Sequence, residues 1–230
     1  MLFDLRSRRR RTAVKVIYVF LAIVMVAGLV LVGVGTGSSG GLLNAFTNNG
    51  SNGGGSQLAD QQLQKAIKAT KKDPNSAAKW ASLMQARWSA ADSGSNYDST
   101  TGTYSANGKS QLRKAATAWQ QYLKLTGGSP TNIGYAQLAA GIYQGLGQWS
   151  GEAEAWNYAA QIEANSQQAL TPYLCLALSS YAASQTTKGD LAAAKAIKLA
   201  PKLQRLTYKS SLNSAKSSAT TAQQLLNQDC

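Results

Sequence analysis

Residues 130–164 read PTNIGYAQLAAGIYQGLGQWSGEAEAWNYAAQIEA, and the placing of small and large side chains along them decides the fold. Apolar groups recur at three- and four-residue intervals, the spacing that lines one face of a helix and not one face of a strand. Two helices follow, from about Ile133 to Leu146 and from Gly151 to Ala164, with Gly147 making the turn between them. Ala136, Ala139, Ala140 and Tyr143 take the packing face of the first, and Trp156 and Ala159 the large and small packing positions of the second. Small residues let the two helices of a hairpin approach closely, and large ones fill the gap to the next hairpin.

The same spacing recurs upstream. Pro130 stands six residues before Ala136, and Pro74 stands six before Trp80, which is followed by Leu83, Met84 and Arg87. Ala118, Tyr122 and Pro130 supply the second half of that earlier unit, after an insertion of about 22 residues around a loop from Asp92 to Gly108. This register resembles the tetratricopeptide repeat (TPR), a helix-turn-helix unit of about 34 residues with the pattern W-x2-L-G-x2-Y, then A-x3-F, then P. Arg87 stands where that pattern has an aromatic, and Lys188-Gly189-Asp190-Leu191 looks like one more turn, ahead of a degenerate helix from Leu191 to Leu199. The resemblance covers residues 57–200 with two or three units. It implies stacked hairpins whose concave groove binds extended peptides or helices of other proteins. An ordinary helical bundle with Ala-rich packing is the alternative.

The remaining segments are also helical. From Gln57 the chain is rich in Ala, Gln, Leu and Lys, and Leu63, Ala66, Ile67 and Thr70 form one face before Asp73-Pro74-Asn75 stops the helix. Leu112, Ala115, Ala116, Trp119, Tyr122 and Leu123 mark another, ended by Gly127-Gly128-Ser129-Pro130. Further helices read from Pro172 to Thr186 and from Lys202 to about Leu226, the last polar enough to cap the final repeat or extend away from it. Residues 201–230 are therefore a capping helix and tail.

The N-terminus has a different character. Arg8, Arg9, Arg10, Arg11 and Lys15 adjoin an apolar run over 14–34, long enough as a helix to cross roughly 30 Å of hydrocarbon. Positive charge is retained on the cytoplasmic side, so residues 1–13 are expected inside and everything after about residue 35 outside. A cleaved export signal is the rival, but the run exceeds the usual signal core and no clear Ala-x-Ala site follows. Residues 35–56, rich in Gly, Ser, Asn and Thr, form a tether with a reach on the order of 25 Å. The fold class expected is all-α: an N-terminal transmembrane helix followed by a TPR-like domain of helical hairpins.

Charge narrows the partners. The formal net charge is +13, but residues 1–15 hold six basic groups and one acid, which leaves about +8 on the rest. Those cations fall along Lys65, Lys68, Lys71, Lys72 and Lys79, and again along Lys195, Lys198, Lys202, Arg205, Lys209 and Lys216. They suit anionic lipid heads, acidic wall polymers or acidic proteins, or serve only as a solvated face. Nucleic acid is not expected on that side of a membrane.

Catalytic chemistry finds little support. With no histidine, the commonest general base and metal ligand are both missing, and Ser-His-Asp or Cys-His arrangements are excluded. Glu152 and Glu154 point to different faces of one helix and read as soluble acids at its N-terminus. Asp92-x-Gly94-x-Asn96-x-Asp98 lacks the acidic spacing and closing Glu of a calcium loop, and with no strand in view there is no phosphate loop. No cofactor or metal is expected. Cys175 and Cys230 leave three readings open: a buried free thiol at Cys175, a disulfide between the two, or an intermolecular bond through Cys230. The expected function is a membrane-anchored, extracytoplasmic adaptor that binds other proteins, with a layout similar to ancillary subunits of bacterial protein translocons. A module holding anionic wall polymer or lipid through its basic helices is the alternative.

Overall fold

The computed structural model describes residues 54–164 and 166–230. Arg8 to Arg11, Lys15, the apolar run and most of the tether lie outside the described residues. Among the described residues no helix is long and apolar enough to cross a membrane.

The described chain is all-helical apart from one short hairpin. Its helices are α1 (Gly54–Lys72), α2 (Ala77–Ala91), α3 (Ala106–Leu125), α4 (Ile133–Gly145), α5 (Trp149–Ile162), α6 (Leu170–Ala182), α7 (Thr186–Leu199), α8 (Arg205–Ser217) and α9 (Ala219–Asp229). From α1 to α7 each helix packs on the next in sequence, as in a stack of hairpins. The core runs unbroken through this stack. Trp119, Met84, Leu112, Ile142 and Leu178 fill it, and fully buried alanines such as Ala81, Ala115, Ala139 and Ala155 let the helices close.

Two turns repeat one another bond for bond. After α4, Gln148 N–H donates to Tyr143 C=O at 2.9 Å and Gly147 N–H to Gln144 C=O at 2.9 Å. After α6, Gln185 N–H donates to Ser180 C=O at 2.8 Å and Ser184 N–H to Tyr181 C=O at 2.9 Å. Both are helix stops that need a left-handed residue, and Gly147 (φ 67°) and Ser184 (φ 60°) provide it. The second turn therefore lies at 183–185, not at Lys188-Gly189-Asp190, which belongs to α7. Gly189 is glycine for a different reason. A Cβ there would stand 2.5 Å from the Tyr181 ring, just as one at Gly151 would stand 2.6 Å from Tyr143. In both hairpins an aromatic near the end of the first helix lies against a glycine near the start of the second.

The inserted loop is built, not loose. Tyr97 and Asp98 (β1) pair antiparallel with Thr103 and Tyr104 (β2), with the two tyrosine rings 4.7 Å apart. The Asp98 carboxylate accepts from Thr100 N–H at 2.9 Å and the Thr101 hydroxyl at 2.9 Å, so this acid shapes a turn. Asn96 ties the insert to α2 by donating to Ala90 C=O at 2.8 Å. Tyr104 then lies over Gly145 at the end of α4, where an added Cβ would meet its ring at 2.8 Å. The strand pair and the start of α3 at Ala106, capped by Ser105, both depart from the loop expected over 92–108.

At the C-terminus two helices replace the single one expected. Ser218 leaves the helical conformation (φ −149°, ψ 117°) and its hydroxyl accepts from Thr221 N–H at 3.2 Å, starting α9. α8 packs on α7 and α6, and α9 returns to α6. Cys230 is bonded to Cys175 across 55 residues, with Cα atoms 5.8 Å apart, so the readings of a free thiol or an intermolecular bond give way to the intramolecular disulfide.

Candidate functional site

Ala136, Ala140 and Ala159 have no exposed surface, and Leu83, Tyr122, Tyr143 and Trp156 are buried beside them. Trp80 is partly buried and its indole N–H donates to Pro74 C=O at 2.7 Å. Gly147 forms the α4–α5 turn. All nine are core or turn residues, and the seven that are buried are occupied in packing and not open to a ligand. Tyr143 illustrates why: its ring lies on Gly151 and its hydroxyl accepts from Gln120 at 2.7 Å. The Arg87 guanidinium, at the position where the repeat pattern has an aromatic, donates to the Gln111 side chain at 2.8 Å and so links α2 to α3.

An open surface depression lies toward the C-terminal end of the stack. A cleft of about 490 Å³ runs between α6, α8 and α9. Leu174, Leu178, Leu212 and Leu225 line it, Tyr208 stands at its side, and Gln204, Thr207, Ser211, Gln228 and Asp229 supply polar groups. Its lining is half apolar and half polar, a mixture that suits an amphipathic occupant. The elements that form it are held by two crosslinks. One is the disulfide, and the other is a chain in which the Tyr181 hydroxyl donates to Asp190 at 2.9 Å while Lys216 meets the same carboxylate at 2.8 Å. α6 is accordingly enclosed, with every residue from Pro172 to Ala182 buried. α9 also touches α4, where the Gln144 side chain donates to Asn227 at 3.0 Å.

One charged residue contradicts its expected setting. Glu152 is 1% exposed, not a soluble acid at a helix start. Its Oε1 accepts from the Trp156 indole at 3.3 Å, while Oε2 has no partner. Burial pushes the carboxyl up to about 8, the Trp156 bond opposing only weakly. Glu154, two residues on, is exposed and meets Lys188 at 3.1 Å. The signal was in the spacing, since Glu152, Trp156 and Ala159 stand at i, i+4 and i+7 and share one buried stripe.

Among the described residues no group of three or more His, Cys, Asp or Glu side chains converges as a metal site would. Asp92 is drawn toward its neutral form by burial, and Tyr104 is pushed up to about 12 mainly by burial and then by Asp92. Two sets of exposed cations stand close together in sequence. Lys65, Lys68, Lys71 and Lys72 lie on α1, and Lys198, Lys202, Arg205 and Lys209 surround the α7–α8 connection. Among the described residues no carboxylate pairs with any of these eight. No family model, curated protein or solved structure matches this chain.

Proposed function

We propose that the protein is a membrane-anchored scaffold whose TPR-like domain binds short helices or extended peptides of partner proteins outside the cytoplasm. One observation carries the reading: the α6 face that lines the cleft already holds a helix, α9. That helix makes the contact with two buried residues, Ala222 and Leu226, and leaves most of its length polar. A face that receives one short amphipathic helix, beside an open cleft of mixed apolar and polar lining, has the chemistry to take a second. The matching turns at Gly147 and Ser184, with their aromatic-on-glycine contacts, support a repeated hairpin of the tetratricopeptide kind. The disulfide fits an oxidising compartment, on the side of the membrane where Arg8 to Arg11 would place the domain. Assisting the translocation or assembly of envelope proteins is the role that this layout suggests.

The test is photo-crosslinking in cells from Gln228 and Thr207 at the cleft, with exposed Ser82 on α2 as control. Adducts specific to the cleft positions and lost on Leu225→Asp are expected. Identical adducts from all three positions, or none above background, overturn the reading.

A further inference from the structure

The two most exposed large apolar side chains in the described structure are three residues apart in sequence. Leu203 is 96% exposed and Leu206 81%, with Leu199 adding 42% nearby. They sit where α7 passes into α8, and each directly follows a cation: Lys198-Leu199, Lys202-Leu203, Arg205-Leu206. Lys209 extends the set by one helical turn. The one acid lining the neighbouring cleft is Asp229.

This corner is a fixed shape. The Arg205 guanidinium donates to Ala200 C=O at 3.0 Å and Lys198 C=O at 2.9 Å, and Gln204 N–H donates to Pro201 C=O at 2.8 Å. Ala200 is buried beneath it. Leu203 and Leu206 therefore project from a braced connection, and they belong to neither the core nor the cleft walls. A protein partner of a protruding apolar tip must supply a matching pocket, whereas a lipid interface yields around it. Adjacent cations add attraction to anionic headgroups, and long Lys stems reach up to them while apolar groups enter the acyl boundary.

We propose that the α7–α8 corner is a membrane-contact wedge, with Leu203 and Leu206 entering the headgroup boundary of an anionic bilayer while Lys198, Lys202, Arg205 and Lys209 pair with lipid phosphates. The inference is independent of what the cleft binds. It would hold the domain down on the surface, in a set orientation, beyond what a tether can do.

The test uses the full chain carrying Ser210→Cys, labelled with an environment-sensitive fluorophore and reconstituted into vesicles containing a lipid-borne quencher. Cys175 and Cys230 stay in their disulfide, so only the introduced thiol reacts. Quenching is expected in phosphatidylglycerol–phosphatidylcholine vesicles and little in pure phosphatidylcholine. The pair Leu203→Ser with Leu206→Ser should weaken docking about tenfold or more, and Lys202→Glu with Lys209→Glu by a similar factor. All four positions are exposed, and helicity with an intact disulfide confirms folding. A salt titration of the labelled chain, which needs none of these four changes, should release the probe as salt rises. No quenching in anionic vesicles overturns the proposal and leaves the leucines to a protein partner. A salt-sensitive response indifferent to the leucine pair also overturns it, because that is the behaviour of a surface adsorbing any polyanion, wall polymer included.

Discussion

A carboxyl held almost wholly out of water, with one long bond from Trp156 and one bare oxygen, makes Glu152 costly to ionise. The unfolded chain releases its proton above about pH 4.5, while the folded chain keeps it until about pH 8. Unfolding in that window sheds a proton, so stability is full below the lower value, falls as pH rises toward about 8, and levels beyond it. Glu152→Gln keeps an acceptor for Trp156 without the charge. In urea titrations it should match the parent at pH 4 and exceed it at pH 9 by on the order of 4 kcal/mol, with the slope between them reduced. Ser184 is the other costly residue, the one non-glycine at positive φ among the described residues. It is exposed, so removing its side chain loses no packing. Ser184→Gly should raise stability by about 1 kcal/mol, seen as a higher denaturation midpoint at unchanged slope.

Among the elements, α9 depends most on a single bond. It buries Ala222 and Leu226, partly buries Leu225, and otherwise relies on the Gln144–Asn227 contact and the disulfide. Closing a loop of 55 residues is worth about 4 kcal/mol on the chain-entropy account. Cys230→Ser should therefore lower stability by about that much, and amide exchange over Ala219–Asp229 should speed up well before exchange in α4 or α5. If α9 stays as protected as α6 after the bond is lost, packing and not the disulfide holds it. The inserted hairpin shows the reverse arrangement, because no covalent tie is needed where Tyr104 lies on Gly145 and Asn96 binds back to α2.

For the whole molecule, orientation across a membrane joins the proposed functions. If residues after the apolar run lie outside the cytoplasm, the Cys175–Cys230 bond forms there and survives. An impermeant maleimide applied to intact cells should label nothing until an impermeant reductant is added, and should then label exposed Cys230. Labelling that begins only after the membrane is broken would place the domain inside and remove the basis for both the extracytoplasmic scaffold and the outward-facing wedge.

Much of the fold was legible from residues 130–164, because helix periodicity and a glycine stop act within a few residues of each other. Ala136, Ala140, Tyr143, Trp156 and Ala159 fell on buried faces as their spacing requires. Gly189 was misread as a turn because a glycine serves close approach as readily as a left-handed stop, and only the Tyr181 ring above it tells which. The C-terminal helix broke at Ser218 where polar periodicity ran on without interruption. By itself, the sequence determined that the chain forms helices, where most of the hairpins turn and which small residues meet, since those depend on neighbours one or two turns away. Tertiary structure alone decided that Glu152 loses its water, that Cys175 meets Cys230, that α9 returns to α6 and that Leu203 and Leu206 stay uncovered. Each of these depends on what distant segments bring, or fail to bring, to the same place.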